Sequence, residues 1–410
     1  MRVYLVGGAL RDRLLGRPVR ERDWVVIGAQ PADLTARGFT PVGREFPVFL
    51  HPHTREEYAL ARLERKVAPG YRGFATRFSP DVTLEEDLKR RDLTINAMAE
   101  SEAGEIVDPF GGRRDLEARL LRHVSDAFVE DPVRILRVAR FAARFASLGF
   151  RVAPETTALM AAMVQSGEVR ALVAERVWQE TERALGESRP EVFFEVLRSC
   201  GALAIIFPEL EALFGVPQPA EWHPEIDTGI HVLLALRYAA DRNASTAVRF
   251  AALTHDLGKA LTPRERWPSH PGHEEAGAPL VQALAARLKT PSSHHELGVL
   301  AARHHTKVHR ALELRPGTVL ELLEAADAFR RPDRFADLLL ACEADARGRS
   351  GLEQRPYPQA DYLRGALAAA AGVSLSQDER RELKGPAAGA RIREQRLAAV
   401  TAHKRSQRGS

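Results

Sequence analysis

Short apolar runs of strand length open the chain. Residues 3–6, 24–27, 58–61 and 105–107 are β-type runs separated by helical stretches, which predicts an α/β or α+β domain over the first hundred or so residues. From about Leu116 the pattern turns almost wholly helical. Residues 132–148, 175–185 and 190–200 carry apolar positions at three- and four-residue spacing, the signature of helices with one buried face. The proline-rich stretch 216–224 reads as a linker or boundary. A second helical region begins near His231 and includes 247–257, 274–288 and 319–347, and the tail after Gly372 is polar and basic, its last residues expected to be mobile. The pattern has no internal repeat. It predicts an α+β protein: a mixed α/β head at 1–115, an all-helical region at 116–218, a second helical domain at 222–350 and a helical, basic tail at 351–410.

Composition narrows the field. The 410 residues are 45% hydrophobic and 28% charged, which is ordinary for a globular protein of several packed units. Lys and Arg outnumber Asp and Glu by 59 to 55, and a pI of about 9.2 is compatible with a polyanionic partner. Cys200 and Cys342 are too few and too far apart for a disulfide framework or a cysteine-based zinc site, so a reducing cytoplasm is expected. The N-terminal apolar run stops at Gly7, short of a signal peptide, and no stretch approaches a membrane span. The expected location is the cytosol, with no membrane partner.

Chemistry enters at Leu5-Val6-Gly7-Gly8-Ala9-Leu10-Arg11-Asp12, a strand running through two glycines into a helix. Such glycines let a phosphate approach the backbone, the helix start offers free N–H groups, and Arg11 sits about one turn in, placed to hold a triphosphate. Alone, this is ordinary turn geometry. Glu21-Arg22-Asp23 then leads into Trp24-Val25-Val26-Ile27. Residues two apart on a strand share a face, so both carboxylates can serve divalent ions beside that triphosphate; alone, the triplet is a solvated strand start. In the third signal, Lys89-Arg90-Arg91-Asp92-Leu93-Thr94-Ile95-Asn96-Ala97-Met98-Ala99, three basic residues precede an Asp at the start of an expected helix. Arg91 is placed to neutralise phosphate and Asp92 to cap. Asp108-Pro109-Phe110-Gly111-Gly112 closes the unit as a turn.

These four motifs, in this order and spacing, resemble the class II CCA-adding enzymes of the polymerase-beta nucleotidyltransferase superfamily. The resemblance extends through Gly43-Arg44-Glu45-Phe46-Pro47-Val48-Phe49 and Glu57-Tyr58-Ala59-Leu60-Ala61-Arg62, and is to the long bacterial multifunctional form over nearly the whole chain. It implies that residues 1–115 form a nucleotidyltransferase head and 116–218 a nucleotide- and RNA-binding region. The implied activity is addition of C, C and A to the 3′ end of tRNA from CTP and ATP without a template, with Mg²⁺ at Glu21 and Asp23. Gly8, Arg11 and Arg91 would bind the nucleotide. Monomer or homodimer is the implied state. One departure stands out: the family has Asp-x-Asp where this chain has Glu21. A longer carboxylate still coordinates Mg²⁺, but moves its oxygens by about a bond length in a site that tolerates roughly 0.5 Å.

Glu130-Asp131-Pro132-Val133-Arg134-Ile135-Leu136-Arg137-Val138-Ala139-Arg140 spaces its arginines at three-residue intervals on one broad helical face. The resemblance assigns Asp131 and Arg134 to reading the incoming base, and Arg137 and Arg140 to contacting the nucleotide. Cytosine and adenine both present an amino donor beside an acceptor ring nitrogen, and uracil and guanine the reverse. An Asp acceptor beside an Arg donor therefore fits the first pair and leaves buried groups unpaired with the second, at roughly 1–3 kcal/mol each.

Histidines concentrate downstream of the head, most of the fourteen lying between His223 and His309. His231, the adjacent pair in Thr254-His255-Asp256-Leu257-Gly258-Lys259, and Asp345 follow the H…HD…D order of the HD-domain phosphohydrolases, which the segment 222–350 resembles. Imidazoles and carboxylates in that set hold a divalent metal that supplies a nucleophilic water near neutral pH. His273 and His305 are further ligand or phosphate-contact candidates, and Asp327 and Asp337 compete with Asp345 as the last ligand. The resemblance favours Asp345 and implies phosphatase, 2′-nucleotidase and 2′,3′-cyclic phosphodiesterase activity with Ni²⁺ or another divalent metal. Two rivals remain open: a poly(A) polymerase-like transferase, and an HD phosphohydrolase whose head is impaired by Glu21. The absence of GxxxxGK[ST] disfavours a P-loop NTPase.

Overall fold

A computed structural model describes residues 1–19, 21–42, 48–66 and 74–407, with the backbone alone at 64–66 and 74–77. The sequence expectations for Gly43 to Pro47 and for the last three residues of the tail lie outside the described residues. The chain divides into two compact units, Met1–Ile206 and Phe207–Ser410.

In the first unit nine strands among the described residues, β1 (Arg2–Val6), β2 (Asp23–Ile27), β3 (Thr40–Val42), β4 (Val48–Leu50), β5 (Glu57–Leu60), β6 (Arg62–Lys66), β7 (Phe74–Phe78), β8 (Ala99–Ser101) and β9 (Ile106–Val107), build the head. Seven form one mixed sheet in the order β3-β4-β5-β2-β1-β8-β9, while β6 and β7 pair with each other. The central strand β2 is apolar on both faces for a physical reason. Val25 and Ile27 bury into one core cluster with Val6, Leu88, Ala97 and Ala99, whereas Val26 points the other way, into a cluster with Leu34, Phe49 and Leu60. The β1–β2 pairing is antiparallel with Val6 opposite Asp23, which brings the Gly7-Gly8 turn and the first acidic residue of β2 to the same end of the sheet.

Among the described residues this unit also has nine α-helices: α1 (Gly8–Leu14), α2 (Pro31–Thr35), α3 (Leu84–Lys89), α4 (Gly112–Glu117), α5 (Val133–Phe145), α6 (Pro154–Gln165), α7 (Ala174–Leu185), α8 (Glu191–Ser199) and α9 (Ala202–Ile206). The helix expected after Asp92 is absent. Only a 3₁₀ turn forms at Thr94–Asn96 before the chain enters β8, because the small residues there fill the core rather than line one helical face: Ala97, Met98 and Ala99 are all buried. Asp92 accepts from Leu93 N–H and Asn96 Nδ2, which closes the turn locally.

The second unit is helical: α10 (Pro208–Glu211), α11 (Thr228–Asp241), α12 (Thr246–Thr254), α13 (His273–Leu288), α14 (Ser292–His309), α15 (Pro316–Ala325), α16 (Pro332–Arg347), α17 (Pro358–Ala371), α18 (Gln377–Glu382) and α19 (Pro386–Ser406). Two sequence expectations are corrected here. The proline-rich stretch 216–224 is an ordered part of this unit, not a linker: Gln218 N–H donates to Ile226 O at 2.8 Å, Thr228 Oγ1 donates to Val216 O at 2.9 Å, and His270 Nε2 meets Pro217 O at 2.8 Å. Its prolines set tight turns whose backbone groups find partners. The run 319–347 is two helices, separated where Asp327 takes φ 51° and Pro332 starts α16.

Backbone contact between α13 and the 3₁₀ turn Leu257–Leu261 fixes the segment that follows His255 and Asp256. A Cβ at Gly258 would lie 2.0 Å from His273 O and 2.6 Å from Gly277 N, both backbone atoms that cannot rotate away. Gly258→Ala is expected to destabilise the unit by about 1–3 kcal/mol, the range for overpacking, and so to lower Tm by roughly 2–10 °C. Thermal denaturation followed by circular dichroism measures this, and an unchanged Tm would contradict the packing.

Candidate nucleotide cleft and candidate metal centre

In the first unit a cleft of about 770 Å³ gathers the residues singled out in the head. Gly8, Arg11, Glu21, Asp23 and Arg91 line it, and so do Asp131, Arg134, Arg137 and Arg140. Ten arginines stand in its wall against seven carboxylates, an excess of positive charge suited to a triphosphate. Gly7 takes φ 70°, and a Cβ there would sit 3.1 Å from Arg91 Nη1, so the turn has no room for a side chain beside that guanidinium. Arg11 is buried. It donates to Asn96 Oδ1 at 2.6 Å and to Asp12 Oδ1 at 2.9 Å, with its guanidinium over Phe141 and Phe145.

The two carboxylates at the mouth differ in support. Asp23 is the first residue of β2, but Glu21 precedes the strand, so the expectation that strand alternation aligns them is corrected: they share the cleft without sharing a strand. Desolvation against the cleft wall raises the pKa of Asp23; the Arg91 charge opposes this and the Glu21 charge adds to it. Two exposed carboxylates facing an arginine-rich wall fit a divalent ion in their donor chemistry.

Helix α5 presents its arginines to the cleft as the three-residue spacing predicts, and each is already engaged. Arg134 donates to two backbone carbonyls, Ala127 O at 2.6 Å and Arg90 O at 2.8 Å. Arg137 holds Asp92 through Nε at 2.8 Å and Nη2 at 2.7 Å, and Arg140 Nε holds Glu180 at 2.6 Å. Asp131 is held from another helix. Arg176 of α7 grips both of its oxygens, at 3.1 and 2.7 Å, while Val133 N–H also donates to Oδ1. Asn96, Arg176 and Glu180 carry much of this geometry, and sequence reasoning assigned them no role. Asn96 lay inside a quoted motif, but nothing in its spacing showed that it would meet Arg11.

In the second unit, α11, α12, α13, α14 and α16 converge on a buried cluster. His231 Nε2 lies 3.1 Å from Asp345 Oδ1 and 3.8 Å from Asp256 Oδ2. His255 Nε2 is 3.1 Å from Asp256 Oδ2 and 3.5 Å from Asp345 Oδ2. On the other side of the same carboxylate, Asp256 Oδ1 is 3.4 Å from His273 Nε2 and 3.5 Å from His305 Nε2. Two donor groups therefore stand side by side, His231 with His255 and Asp345, and Asp256 with His273 and His305. Asp327 lies elsewhere, beside Arg331 and Arg334, and Asp337 is outside the cluster.

Backbone carbonyls fix the ring orientations: Ala252 O faces His255 Nδ1, Ala301 O faces His305 Nδ1 and His270 O faces His273 Nδ1, which turns each Nε2 inward. His255 Nε2 and both oxygens of Asp256 are buried and close no hydrogen bond of sound geometry among the described residues, although the Lys259 ammonium stands 2.6 Å from Asp256 Oδ2 as an ion pair. Orphaned buried atoms on an imidazole and a carboxylate are what a metal ligand set requires, so the residues fit a divalent ion. Burial alone would raise Asp256 and Asp345, yet the neighbouring His255 charge, with Lys259 for the first and His309 and Arg349 for the second, holds both well below the usual carboxylate range. Both carboxylates stay anionic beside these cationic neighbours.

Four participants went unassigned in the sequence. Glu225 holds His231 Nδ1 at 2.8 Å, Lys259 Nζ lies 2.6 Å from Asp256 Oδ2, Arg349 Nη2 lies 2.9 Å from Asp345 Oδ1, and His309 Nε2 lies 2.5 Å from Asp345 Oδ2. Glu225 was hidden by reading the preceding prolines as a linker. For His309 the signal existed, one helical turn beyond His305 on the same face.

A cleft of this charge on this sheet, with a separate buried histidine–aspartate cluster, defines an RNA nucleotidyltransferase head joined to an HD-type phosphohydrolase. Residues 3–122 match the poly A polymerase head domain, 149–214 the probable RNA and SrmB-binding site of polymerase A, and 228–341 the HD domain. The chain is 64% identical over 400 residues to a multifunctional CCA protein of Thioalkalivibrio sulfidiphilus, covering 98% of each chain. It is 62% identical over 409 residues to one of Nitrosococcus oceani, covering both completely. The chain belongs to the multifunctional CCA protein family. Its fold is also that of a CCA-adding enzyme of Bacillus stearothermophilus solved in complex with CTP, at TM-score 0.64 and 23% identity, with 98% of this chain and 89% of that one covered.

The buried pair in the cleft generates a stability prediction. Burial pushes Asp92 up, but the Arg137 charge and the hydrogen bonds from Asn96, Arg137 and Leu93 outweigh it and leave the carboxyl far below its ordinary value. A depressed carboxylate contributes stability that is present above its unfolded value of about 3.9 and is lost as the pH falls from there toward the folded value. Arg137→Gln is expected to cost about 2–3 kcal/mol at pH 7, less than for a fully sealed pair because a third of Arg137 is exposed. The variant should also lose part of the acid-side decline below about pH 4. Urea unfolding at a series of pH values reads both effects, and parallel wild-type and variant curves would contradict the assignment.

Proposed function

We infer that this chain builds and repairs the CCA end of tRNA in the cytoplasm, adding C, C and A from CTP and ATP without a template, and that its HD domain hydrolyses phosphate esters at RNA ends. The observation that carries the reading is the convergence of the Gly7-Gly8 turn, Glu21, Asp23 and the arginines of α5 on one cleft, in a chain that matches its relatives from end to end. Residues 1–115 act as the transferase head, 116–218 as the nucleotide- and RNA-binding region, 222–350 as the phosphohydrolase and 351–410 as the basic tail.

In the head, Glu21 and Asp23 would hold Mg²⁺. Bound there, the metal supplies electrostatic activation of the tRNA 3′-hydroxyl and stabilisation of the departing pyrophosphate. Arg11 and Arg91 position the triphosphate, each kept rigid by its neighbours: Arg11 by Asn96 and Asp12, Arg91 by Asp87. Asp131, held in place by the Arg176 fork, accepts from the amino group shared by cytosine and adenine, and Arg134 donates to the ring nitrogen beside it. Uracil and guanine present donors and acceptors reversed and are rejected.

In the HD domain His231, His255, Asp256 and Asp345 would hold one divalent ion, and the second oxygen of Asp256 with His273 and His305 offers a second position. An imidazole-rich set suits Ni²⁺ and similar ions, which supply Lewis acidity and a nucleophilic water. Lys259 stays beside Asp256 and, with its charge, favours a phosphate close to the cluster.

Incubating tRNA that lacks its end with labelled CTP and ATP tests the transferase. Ordered C, C, A addition is expected, with Asp23→Ala more than about 100-fold slower, the scale of losing one transition-state charge stabiliser, and Glu21→Asp within about tenfold of wild type, each tenfold being about 1.4 kcal/mol. Tailing with ATP alone would instead indicate a poly(A) polymerase. A native chain that is inactive but rescued by Glu21→Asp would indicate an impaired head.

For the HD domain, His255→Ala and Asp256→Ala are expected to abolish hydrolysis of a 2′,3′-cyclic phosphate and leave CCA addition intact. Metal analysis of the same proteins after dialysis against Ni²⁺ should show two ions lost with Asp256→Ala and one with His305→Ala. Hydrolysis that survives Asp256→Ala and a chelator would overturn the assignment.

A further inference from the structure

The irregular segment before α11, from the ordered proline-rich stretch to Asp227, holds an exposed aromatic beside the histidine–aspartate cluster. Trp222 is 50% exposed, whereas Trp24 and Trp267 each donate their indole N–H to a partner and Trp178 is buried. Large aromatic side chains left half in water in a folded unit forgo a large burial gain, so such a position calls for a reason. Trp222 is also not adrift. Its carbonyl accepts from Arg349 Nη1 at 3.1 Å, and the same guanidinium reaches Asp345 Oδ1 through Nη2 at 2.9 Å. The next residue, His223, packs edge to face on His231 at 4.7 Å. The backbone of Trp222 is thus tied to two members of the cluster while its ring faces solvent.

A second observation on this loop stands apart from exposure. Ile226 adopts φ 60°, a left-handed conformation that a β-branched residue resists, and its side chain is itself exposed. It sits between Glu225, which orients His231, and Asp227, which caps α11 through Ile230 N–H. The loop therefore holds a strained, outward-facing shape at the rim of the cluster.

We propose that Trp222 is a nucleobase platform for the phosphohydrolase site: its indole stacks on the base of a nucleotide or RNA end whose 2′-phosphate or 2′,3′-cyclic phosphate lies at the histidine–aspartate cluster. This rests on the phosphohydrolase reading above and names its substrate class, an ester carrying a base as opposed to any accessible phosphate. Stacking tolerates all four bases, as a site serving RNA ends in general needs, and leaves selectivity to the sugar and phosphate.

The test compares adenosine 2′,3′-cyclic phosphate with glycerol 1,2-cyclic phosphate, which has the same five-membered cyclic diester and no base, using the full chain loaded with Ni²⁺. Trp222→Ala is expected to lower kcat/KM for the adenosine substrate by about 5- to 150-fold, the equivalent of about 1–3 kcal/mol for one stacked base. The base-free substrate should change less than about twofold, and Trp222→Phe should recover most of the loss. As a readout independent of turnover, adenosine 2′-phosphate should quench the tryptophan fluorescence of the metal-free protein more strongly than that of Trp222→Phe. Equal losses on both substrates, or no loss on either, with no difference in quenching, would overturn the platform and leave the phosphohydrolase reading standing. A wild-type protein that hydrolyses neither substrate would remove that reading and this one with it.

Discussion

A carboxylate sealed from water must be kept ionised by its neighbours or it becomes neutral, and the head is organised around that constraint at Asp92. Arg137 of α5 supplies the charge, Asn96 and the Leu93 N–H supply hydrogen bonds, and Asn96 in turn accepts from Arg11 of α1. Three segments distant in sequence are thereby locked to one buried anion. The cleft inherits its shape from this lock, since the guanidiniums that line it are oriented by internal partners and need no ligand to hold them in place. The second unit meets the same constraint at Asp256 and Asp345, which His255, Lys259 and Arg349 keep ionised.

Much of the architecture was legible because it follows from periodicity. The apolar runs at β1, β2 and β5, the amphipathic stripes of α5, α7 and α8, and the arginine face of α5 all appear at the positions their spacing predicts. The failures share a cause. The segment after Asp92 looks helical by composition, yet its alanines are spent filling the core, so tertiary packing overrides a local preference. The proline-rich stretch looks like a linker because proline disrupts regular structure, but a chain can be irregular and ordered at once when each backbone group finds a partner.

The sites were legible to a different depth. Residue types that carry chemistry, such as the His255-Asp256 pair, announce themselves in sequence. The groups that aim them do not. Arg176 reaches Asp131 from 45 residues away, and Glu225 meets His231 through a turn that no pattern rule describes. Such partners are determined by three-dimensional proximity, whereas His309, a helical turn from His305, Lys259, three residues after Asp256, and Arg349, four after Asp345, lay within reach of a spacing argument.

The Arg134 guanidinium donates to an uncommon pair of partners, the backbone carbonyls of Ala127 and Arg90. A side-chain partner can be exchanged by a single mutation, but a carbonyl oxygen is present whatever residue occupies the position. These two contacts are therefore insulated from genetic drift at positions 127 and 90, and the burden of keeping them through evolution falls on position 134.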